Sequence, residues 1–211
     1  DMSWKKALAD PVLGPKAIEA CNKELDSLSQ TIFERIPDNN LQEIEKAKKL
    51  GTKCRILLDI KRDSRVKARC VKIGFRENYT LADGADFIYY ASVARLCNIR
   101  MSAFRPNRDG AVIATIDLDC AFLQATPFEK GKHKYCYFRN PVTGKTEYMI
   151  QKGVIYGEKS APRRWLDTLC PVFLKLGFTQ GENERCAFTN KEGLHILVYV
   201  DDLWMSGSKA E

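Results

Sequence analysis

The sequence predicts a mixed α+β fold in which helices cover one face of a mainly antiparallel sheet. Three observations support this prediction. Several segments carry apolar residues at helical spacing, short apolar or alternating segments of strand length lie between them, and turn-forming residues separate the two kinds. Apolar residues make up 45% of the 211 residues and charged residues 29%, a balance typical of a globular chain with its own core.

The helices are predicted from apolar side chains that recur every three or four residues. Three long segments show this spacing: 16–32, 86–104 and 161–176. Pro171 lies inside the third segment, and we expect it to kink that helix because proline lacks the backbone N–H. A short helix is also expected at 120–125, directly after a strand.

The strands are predicted from short apolar runs and from alternation. They are 55–60, 111–119, the hairpin 134–151, and the three segments RCAFTN, LHILVYV and LWMSGS near the end of the chain. Residues 61–76 contain seven Lys or Arg and alternate in their centre, so we expect a basic hairpin with Asp63 and Ser64 in its turn. Val66, Ala68, Cys70 and Lys72 then share one face of the strand, and Lys67, Arg69, Val71 and Ile73 the other.

The net charge and the cysteines limit the possible partners and the cellular compartment, but they do not determine the function. The net charge of +7 suits a polyanionic partner such as nucleic acid, although many other soluble proteins have the same balance. No apolar run has the length of a membrane span, and the first residues lack a secretory signal pattern. The eight cysteines form no CxxC pair and lie mostly in apolar stretches, which predicts reduced, buried thiols in an intracellular protein. A zinc site at His133 and Cys136 is the minor alternative.

Carboxylates stand at the ends of two apolar strands. Asp117 and Asp119 end the strand 111–119, and Asp201 and Asp202 follow the apolar run LHILVYV. The wholly apolar run before Asp117 predicts a buried central strand. If the two strands are neighbours in one sheet, Asp117 and Asp201 converge. An Asp-Asp pair is also common in ordinary hairpin turns, and acids often end strands, so each feature alone leaves that simpler reading open.

A cluster of three or four carboxylates requires hard cations to neutralise it. Mg²⁺ suits such a cluster, because it prefers carboxylate oxygens and keeps water and substrate phosphates as its remaining ligands. Two such ions about 3.5–4 Å apart are the machinery of in-line nucleotidyl transfer. The sequence therefore favours a two-metal site.

Five segments together resemble the reverse transcriptases of copia-type retrotransposons. YVDDLWMSG resembles their aromatic–x–Asp–Asp box, and IDLDCAFLQA their first acidic box, commonly Asp-Val-Lys-Thr-Ala-Phe-Leu-Asn-Gly. VIYGEKSAPRRWLDTL is similar to Leu-Tyr-Gly-Leu-Lys-Gln-Ala-Pro-Arg-Gln-Trp, KARCVKIGF to Lys-Ala-Arg-Leu-Val-Ala-Lys-Gly-Phe, and ASVARL to Ala-Pro-Val-Ala-Arg. The boxes occur in the family's order and cover about residues 16–208.

The resemblance implies the fingers and palm of a right-hand polymerase fold, with the thumb absent. Residues 1–110 are then mostly N-terminal helices and fingers, and 111–211 mostly palm, with a nucleotide-pocket segment at 152–164. By position, Asp117 and Asp201 bind both metals, with Asp202 beside them. Asp119 stands where the family often has Lys, and we leave it out of the metal set. Two Mg²⁺ ions are implied as cofactors, with Mn²⁺ as the alternative.

The resemblance also implies residues that bind the substrates. Phe122 takes the place of a bulky ring that collides with a 2′-hydroxyl and so favours deoxynucleotides; a core aromatic is its alternative reading. Arg69 matches the fingers arginine that contacts the triphosphate, because a guanidinium chelates phosphate in two places. Lys61, Arg62 and Lys67 add charge for triphosphate or template, or form only a solvated basic hairpin. Four further residues match the pocket-and-template box: Tyr156, Gly157, Lys159 and Arg163. Ser160 is expected to cap the helix that follows.

Two functions follow from the resemblance. The first is an RNA-directed DNA polymerase that transfers deoxynucleotides from dNTP to a DNA primer on an RNA template. A second chain, or the remainder of a polyprotein, then supplies the thumb and RNase H. The alternative is a domesticated, catalytically silent relative that serves as a structural or RNA-binding subunit of a larger assembly. The resemblance implies an intracellular location, in cytoplasmic particles.

Overall fold

The computed structural model describes residues 3–77, 89–109 and 112–207, with the backbone alone for 105–109. The chain divides into two compact units. The first takes Asp1–Phe87 with Pro127–Ala161, and the second takes Ile88–Thr126 with Pro162–Glu211. The linear division into fingers before residue 110 and palm after it stays a prediction. The two units alternate along the sequence, because residues 127–161 belong to the first unit.

The first unit is built on a five-stranded sheet with three helices. The helices are α1 (Trp4–Ala9), α2 (Leu13–Thr31) and α3 (Leu41–Leu50); the strands are β1 (Phe33–Arg35), β2 (Thr52–Ile60), β3 (Val66–Lys72), β5 (Lys134–Arg139) and β6 (Thr146–Gln151). The strand order is β1-β6-β5-β2-β3, and only the β2–β5 pair is parallel. Helix α2 contacts β3 and β1, and α3 contacts β5 and β6. The helix predicted at 16–32 is confirmed as α2.

The basic hairpin formed by β2 and β3 is confirmed. Its turn places Ser64 at φ 62°, and Asp63 accepts a hydrogen bond from the backbone N–H of Arg65 at 3.1 Å. Ala68, Cys70 and Lys72, which the alternation placed on one face, are all buried. The opposite face of the hairpin is more exposed and carries most of its basic side chains. Lys72 is unusual on the buried face, because a charged side chain occupies a position where alternation places buried residues.

The second unit holds an all-antiparallel sheet in the order β4-β10-β9-β8-β7. Its elements are α4 (Leu96–Asp109), β4 (Val112–Asp117), α5 (Ala161–Lys175), β7 (Thr179–Gln180), β8 (Ala187–Thr189), β9 (His195–Tyr199) and β10 (Asp202–Gly207). Helix α5 packs on this sheet through Phe173, whose ring lies 4.7 Å from that of Phe188. Helix α5 continues through Pro171 without a break. A one-turn 3-10 helix, Ala121–Gln124, stands where the short helix was expected.

Two predictions about this unit are wrong. Strand β4 is not central and buried: among the residues that the structure describes it is an edge strand with β10 as its one partner, and all six of its residues are exposed. Its apolar composition reflects β propensity rather than burial on both faces. The helix predicted at 86–104 begins at Leu96; residues 89–95 are not helical, and 86–88 lie outside the described residues. The aromatic and β-branched residues at its predicted start disfavour helix.

The cysteines are free, and most are buried as predicted. Five are buried, Cys170 is half-buried, and Cys97 and Cys120 are the exposed exceptions. Burial raises the pKa of Cys21 to about 11 and that of Cys186 to about 12, so both stay neutral thiols. Across the described residues, no helix combines the length and apolar character needed to span a bilayer.

Candidate active site

The Asp-Asp pair lies in a tight hairpin turn between β9 and β10. Tyr199 pairs with Asp202 at the ends of the two strands, so Val200 and Asp201 form a two-residue turn. Val200 adopts φ 58°, as primed hairpin turns require of their first central residue. A β-branched residue rarely occupies this region, so the backbone is held in an unfavourable conformation at the acidic turn.

Strand β4 brings Asp117 to the same end of the sheet. Asp117 stands directly opposite Asp202 in the β4–β10 register, so the two side chains share one face. The backbone N–H of Leu118 donates to the carbonyl oxygen of Asp201 at 2.8 Å, which ties the turn to the chain leaving β4. The two acidic boxes therefore lie at one end of the sheet, with Asp202 rather than Asp201 as the cross-strand partner of Asp117. The role of these residues as metal ligands stays a prediction.

The donor chemistry at this turn fits a hard divalent cation. Asp117 and Asp202 are exposed, Asp201 is half-buried, and none of the three forms an ion pair with another described residue. Oxygen-only ligands of this kind are those that Mg²⁺ prefers. Within the described ranges, however, no three His, Cys, Asp or Glu side chains are gathered into a metal-ligand group. The residues thus fit Mg²⁺ by type and by strand position.

Two further predicted site residues, Phe122 and Arg163, lie in the same unit as the acidic turn, as does Asp119. Phe122 is half-buried in the 3-10 helix that follows β4. Arg163, in the first turn of α5, forms an ion pair with Asp167 at 2.9 Å. Asp119, which was left out of the metal set, accepts a hydrogen bond at its backbone carbonyl from Gln124 at 2.6 Å.

The other predicted site residues lie in the first unit. The guanidinium of Arg69 is 5.7 Å from the centre of the Tyr156 ring, so two residues predicted for the nucleotide pocket are in contact. Lys61 pairs with Asp59 at 2.9 Å, and both Arg62 and Lys67 are exposed. The structure thus groups Arg69 with Tyr156, and Asp117 with Asp202, in two different units.

The pocket segment runs against strand β3 at backbone contact distance. The N–H of Lys72 donates to the carbonyl of Tyr156 at 2.8 Å. Gly157 has φ 80°, and a Cβ there would overlap the carbonyl oxygen of Lys72. A Cβ at Gly74 would overlap the carbonyl of Gly157 in the same way. Both glycines are required for this approach, which fixes Tyr156 next to Arg69.

A buried ionic network, missed in the sequence, holds this segment. Lys72 and Lys134 both donate to the same oxygen of Glu77 at 2.9 Å. Lys134 also donates to Glu158 at 2.6 Å, and Lys72 lies 3.7 Å from the other Glu158 oxygen. All four side chains are at most 3% exposed. Two lysines and two glutamates give zero net charge, which makes their burial tolerable.

Neighbouring groups complete the hydrogen bonds of this network. Gln151 accepts from Lys72 and donates to Glu158, and Ser160 donates to Glu158 at 3.0 Å. Burial opposes ionisation of Glu77, but Lys72 and Lys134 outweigh it and lower its pKa. Lys159, a predicted template contact, donates its ammonium to the carbonyl of Glu77 at 2.9 Å.

The sequence contained a signal for this network in two departures from the family boxes. Lys72 stands where the Lys-Ala-Arg box has its second alanine, and Glu158 stands where the Tyr-Gly box has leucine. Two opposite charges replacing two apolar residues in different boxes indicate a buried pair.

The comparison that decides the family is a match over most of the chain. The family model described as "Reverse transcriptase (RNA-dependent DNA polymerase)" matches residues 43–211. The chain belongs to the reverse transcriptase family. The resemblance to copia-type elements is confirmed. The described residues have the mixed α+β architecture that the sequence predicts.

The curated relatives are much longer than this reverse transcriptase chain. It is 27% identical over 154 residues to each of two Arabidopsis thaliana proteins, the retrovirus-related Pol polyproteins from transposons RE2 and RE1. The match covers 69% of this chain and 10% of each relative.

Two solved telomerase structures are also similar to the reverse transcriptase chain, at low identity. One is telomerase from Candida albicans, in complex with a fragment of telomeric RNA (TM-score 0.48, 11% identity, 90% of this chain and 42% of that one). The other is apo telomerase from Candida tropicalis without its C-terminal domain (TM-score 0.45, 13% identity, 90% and 48%). The family assignment rests on the match over residues 43–211.

Proposed function

We propose that this chain is the fingers-and-palm part of an RNA-directed DNA polymerase, in which Asp117, Asp201 and Asp202 hold two Mg²⁺ ions. The observation that carries the proposal is the β4–β10 register, which sets Asp117 opposite Asp202 beside a strained turn. Such a pairing of like charges is unfavourable for stability and has no described counter-charge. Metal binding accounts for this pairing of carboxylates, which an ordinary hairpin does not require.

The residues of the chain divide the reaction between them. Bound Mg²⁺ supplies a lowered pKa for the primer 3′-hydroxyl and stabilises charge on the leaving pyrophosphate. The three carboxylates hold the ions, and Arg69 binds the triphosphate through two parallel N–H···O contacts. Tyr156 supports that guanidinium at 5.7 Å, and the Phe122 ring excludes a 2′-hydroxyl. Lys61, Arg62 and Lys67 attract the polyanionic substrates, which gives binding its dependence on salt.

Replacing Arg69 with lysine is expected to raise KM for dNTP about tenfold, because charge-assisted hydrogen bonds contribute about 1.5–3 kcal/mol each and lysine cannot form the forked pair. Steady-state incorporation at varied dNTP concentration measures the effect. Arg65→Lys is the matched control, since Arg65 is exposed and paired with Asp63 within the turn. Equal KM values for both variants contradict the role of Arg69.

Primer extension on an RNA template tests the proposed function. The purified chain is given a DNA primer, dNTP and Mg²⁺ or Mn²⁺, beside a variant with all three aspartates changed to asparagine. We expect extension by the native chain and none by the variant. Absence of extension by the native chain, together with tight, salt-dependent RNA binding, contradicts the proposal and favours the silent structural or RNA-binding subunit.

The partners and the location belong to the same proposal. We propose an RNA template and a DNA primer as ligands, with the remainder of a Pol polyprotein or a second chain contributing the thumb and RNase H. The relatives matched here are themselves Pol polyproteins of which the match covers 10%. An intracellular location, in cytoplasmic particles, is proposed on the same basis.

A further inference from the structure

The side chain of Trp165 connects helix α5 to the acidic turn. Trp165 lies one turn into α5 and is 5% exposed. Its indole N–H donates to the carbonyl oxygen of Val200 at 2.7 Å. A buried indole N–H normally requires a hydrogen-bond partner. Here that partner is a carbonyl of the acidic turn, which links α5 to Val200.

The carbonyl that receives this bond belongs to the strained residue of the turn. Val200 has φ 58°, a conformation that a β-branched residue keeps only where its surroundings impose it. The next carbonyl, that of Asp201, is held by the N–H of Leu118 at 2.8 Å. Two consecutive carbonyls of the turn are thus fixed, one from α5 and one from the end of β4.

The hydrogen bond from Trp165 acts on the peptide group that joins Val200 to Asp201. The carbonyl of Val200 and the N–H of Asp201 belong to one rigid peptide plane. Fixing that plane fixes the direction in which the Cα of Asp201 presents its carboxylate. A misplacement of about 1 Å at a reacting centre can lower a rate about a hundredfold, so the orientation of this peptide matters for chemistry at Asp201.

We propose that Trp165 is a positioning residue for the acidic turn: its indole N–H fixes the Val200–Asp201 peptide and thereby sets the Asp201 carboxylate for metal. This inference rests on the proposed function of the acidic turn. Trp165 itself touches neither metal nor substrate. Its packing in α5 and its hydrogen bond are separable, because phenylalanine retains an aromatic ring and lacks the N–H.

The chain contains a matched control for this bond. The indole N–H of Trp4 donates to the carbonyl of Ile56 at 2.6 Å, in the first unit and on strand β2. Trp4→Phe therefore removes the same kind of indole-to-carbonyl hydrogen bond at a carbonyl that belongs to no turn and no acidic residue. Any general cost of losing an indole N–H appears in both variants.

The activity experiment compares Trp165→Phe with Trp4→Phe in primer extension at varied Mg²⁺ and dNTP. We expect Trp165→Phe to lower kcat about tenfold or more and to raise the Mg²⁺ concentration needed for half-maximal rate, with KM for dNTP nearly unchanged. Trp4→Phe is expected to keep the native kcat and Mg²⁺ requirement. Equal kcat and equal Mg²⁺ requirement in the two variants overturn the proposal.

A second measurement tests the hydrogen bond between Trp165 and Val200 and does not require polymerase activity. Hydrogen exchange in the native chain is expected to show a protected Trp165 indole N–H, and in Trp165→Phe faster exchange at the amides of 200–202. A freely exchanging Trp165 indole overturns the positioning role even if the variant does not fold. If the native chain extends no primer while the indole is protected, the proposed polymerase function is wrong. The claim that the Trp165 indole fixes the Val200–Asp201 peptide is then still supported.

Discussion

Changing Asp201 to asparagine is expected to lower the rate of nucleotide incorporation by at least about a hundredfold. Metal stabilisation of developing charge is worth several kcal/mol, and each 1.36 kcal/mol changes the rate tenfold. Asparagine keeps the size of the side chain and removes its negative charge, so the hairpin is retained. Removing one of several like charges leaves the melting temperature equal or slightly higher. Asp117→Asn is expected to behave in the same way.

Asp119→Asn is the control for both aspartate variants. Asp119 is an exposed carboxylate two residues from Asp117, and its recorded contact uses the backbone carbonyl. Single-turnover incorporation of one nucleotide is the measurement, because it isolates chemistry from product release. We expect Asp119→Asn to retain the native rate within a few-fold. Equal losses in Asp119→Asn and Asp201→Asn indicate a general electrostatic effect and contradict a defined metal site.

Changing Glu158 to leucine is expected to destabilise the chain by about 3–5 kcal/mol, the usual cost of removing one partner from a buried ion pair. The change leaves two lysines, Lys72 and Lys134, buried with only Glu77. It also removes the carboxylate that accepts from Ser160 and Gln151. Urea unfolding followed by circular dichroism measures the loss.

The double variant Lys72→Ala/Glu158→Leu is expected to recover a substantial part of this stability. It restores the residue types of the family boxes and leaves Lys134 paired with Glu77 at 2.9 Å, again without net buried charge. Coupling between contacting residues of about 0.5–3 kcal/mol sets the size of the recovery. Glu45→Leu, at an exposed pair with Lys48, is the control and should change stability little. Additive losses in the double variant contradict the network.

The sequence predicted those parts of the fold that depend on local pattern. Alternation at 66–72 predicted which residues of β3 share a face, and the helical spacing at 16–32 predicted α2. Helix α3 was missed although it carried a signal: Asn40 precedes an apolar-periodic segment and accepts from the N–H of Glu43 at 3.2 Å. The edge position of β4 was not readable, because an apolar strand has the same composition at an edge as in the centre.

The sequence predicted which strand ends the two acidic boxes occupy, but only part of the contacts that these residues make. Two acidic boxes at strand ends indicated that carboxylates converge, but the register that pairs Asp117 with Asp202 depends on which strand of the hairpin neighbours β4. The indole contact of Trp165 joins residues 35 positions apart and leaves no local pattern. Charge neutrality around Lys72 likewise depends on residues from three separate segments, which only tertiary structure brings together.

The most direct test of the metal site is equilibrium binding of Mn²⁺, followed by electron paramagnetic resonance of the free ion. The native chain is compared with Asp117→Asn/Asp201→Asn and with Asp119→Asn. We expect the native chain and Asp119→Asn to bind Mn²⁺ with the same affinity, displaceable by Mg²⁺, and the double variant to bind at least about tenfold more weakly. Unchanged Mn²⁺ affinity in the double variant would show that these carboxylates do not hold metal.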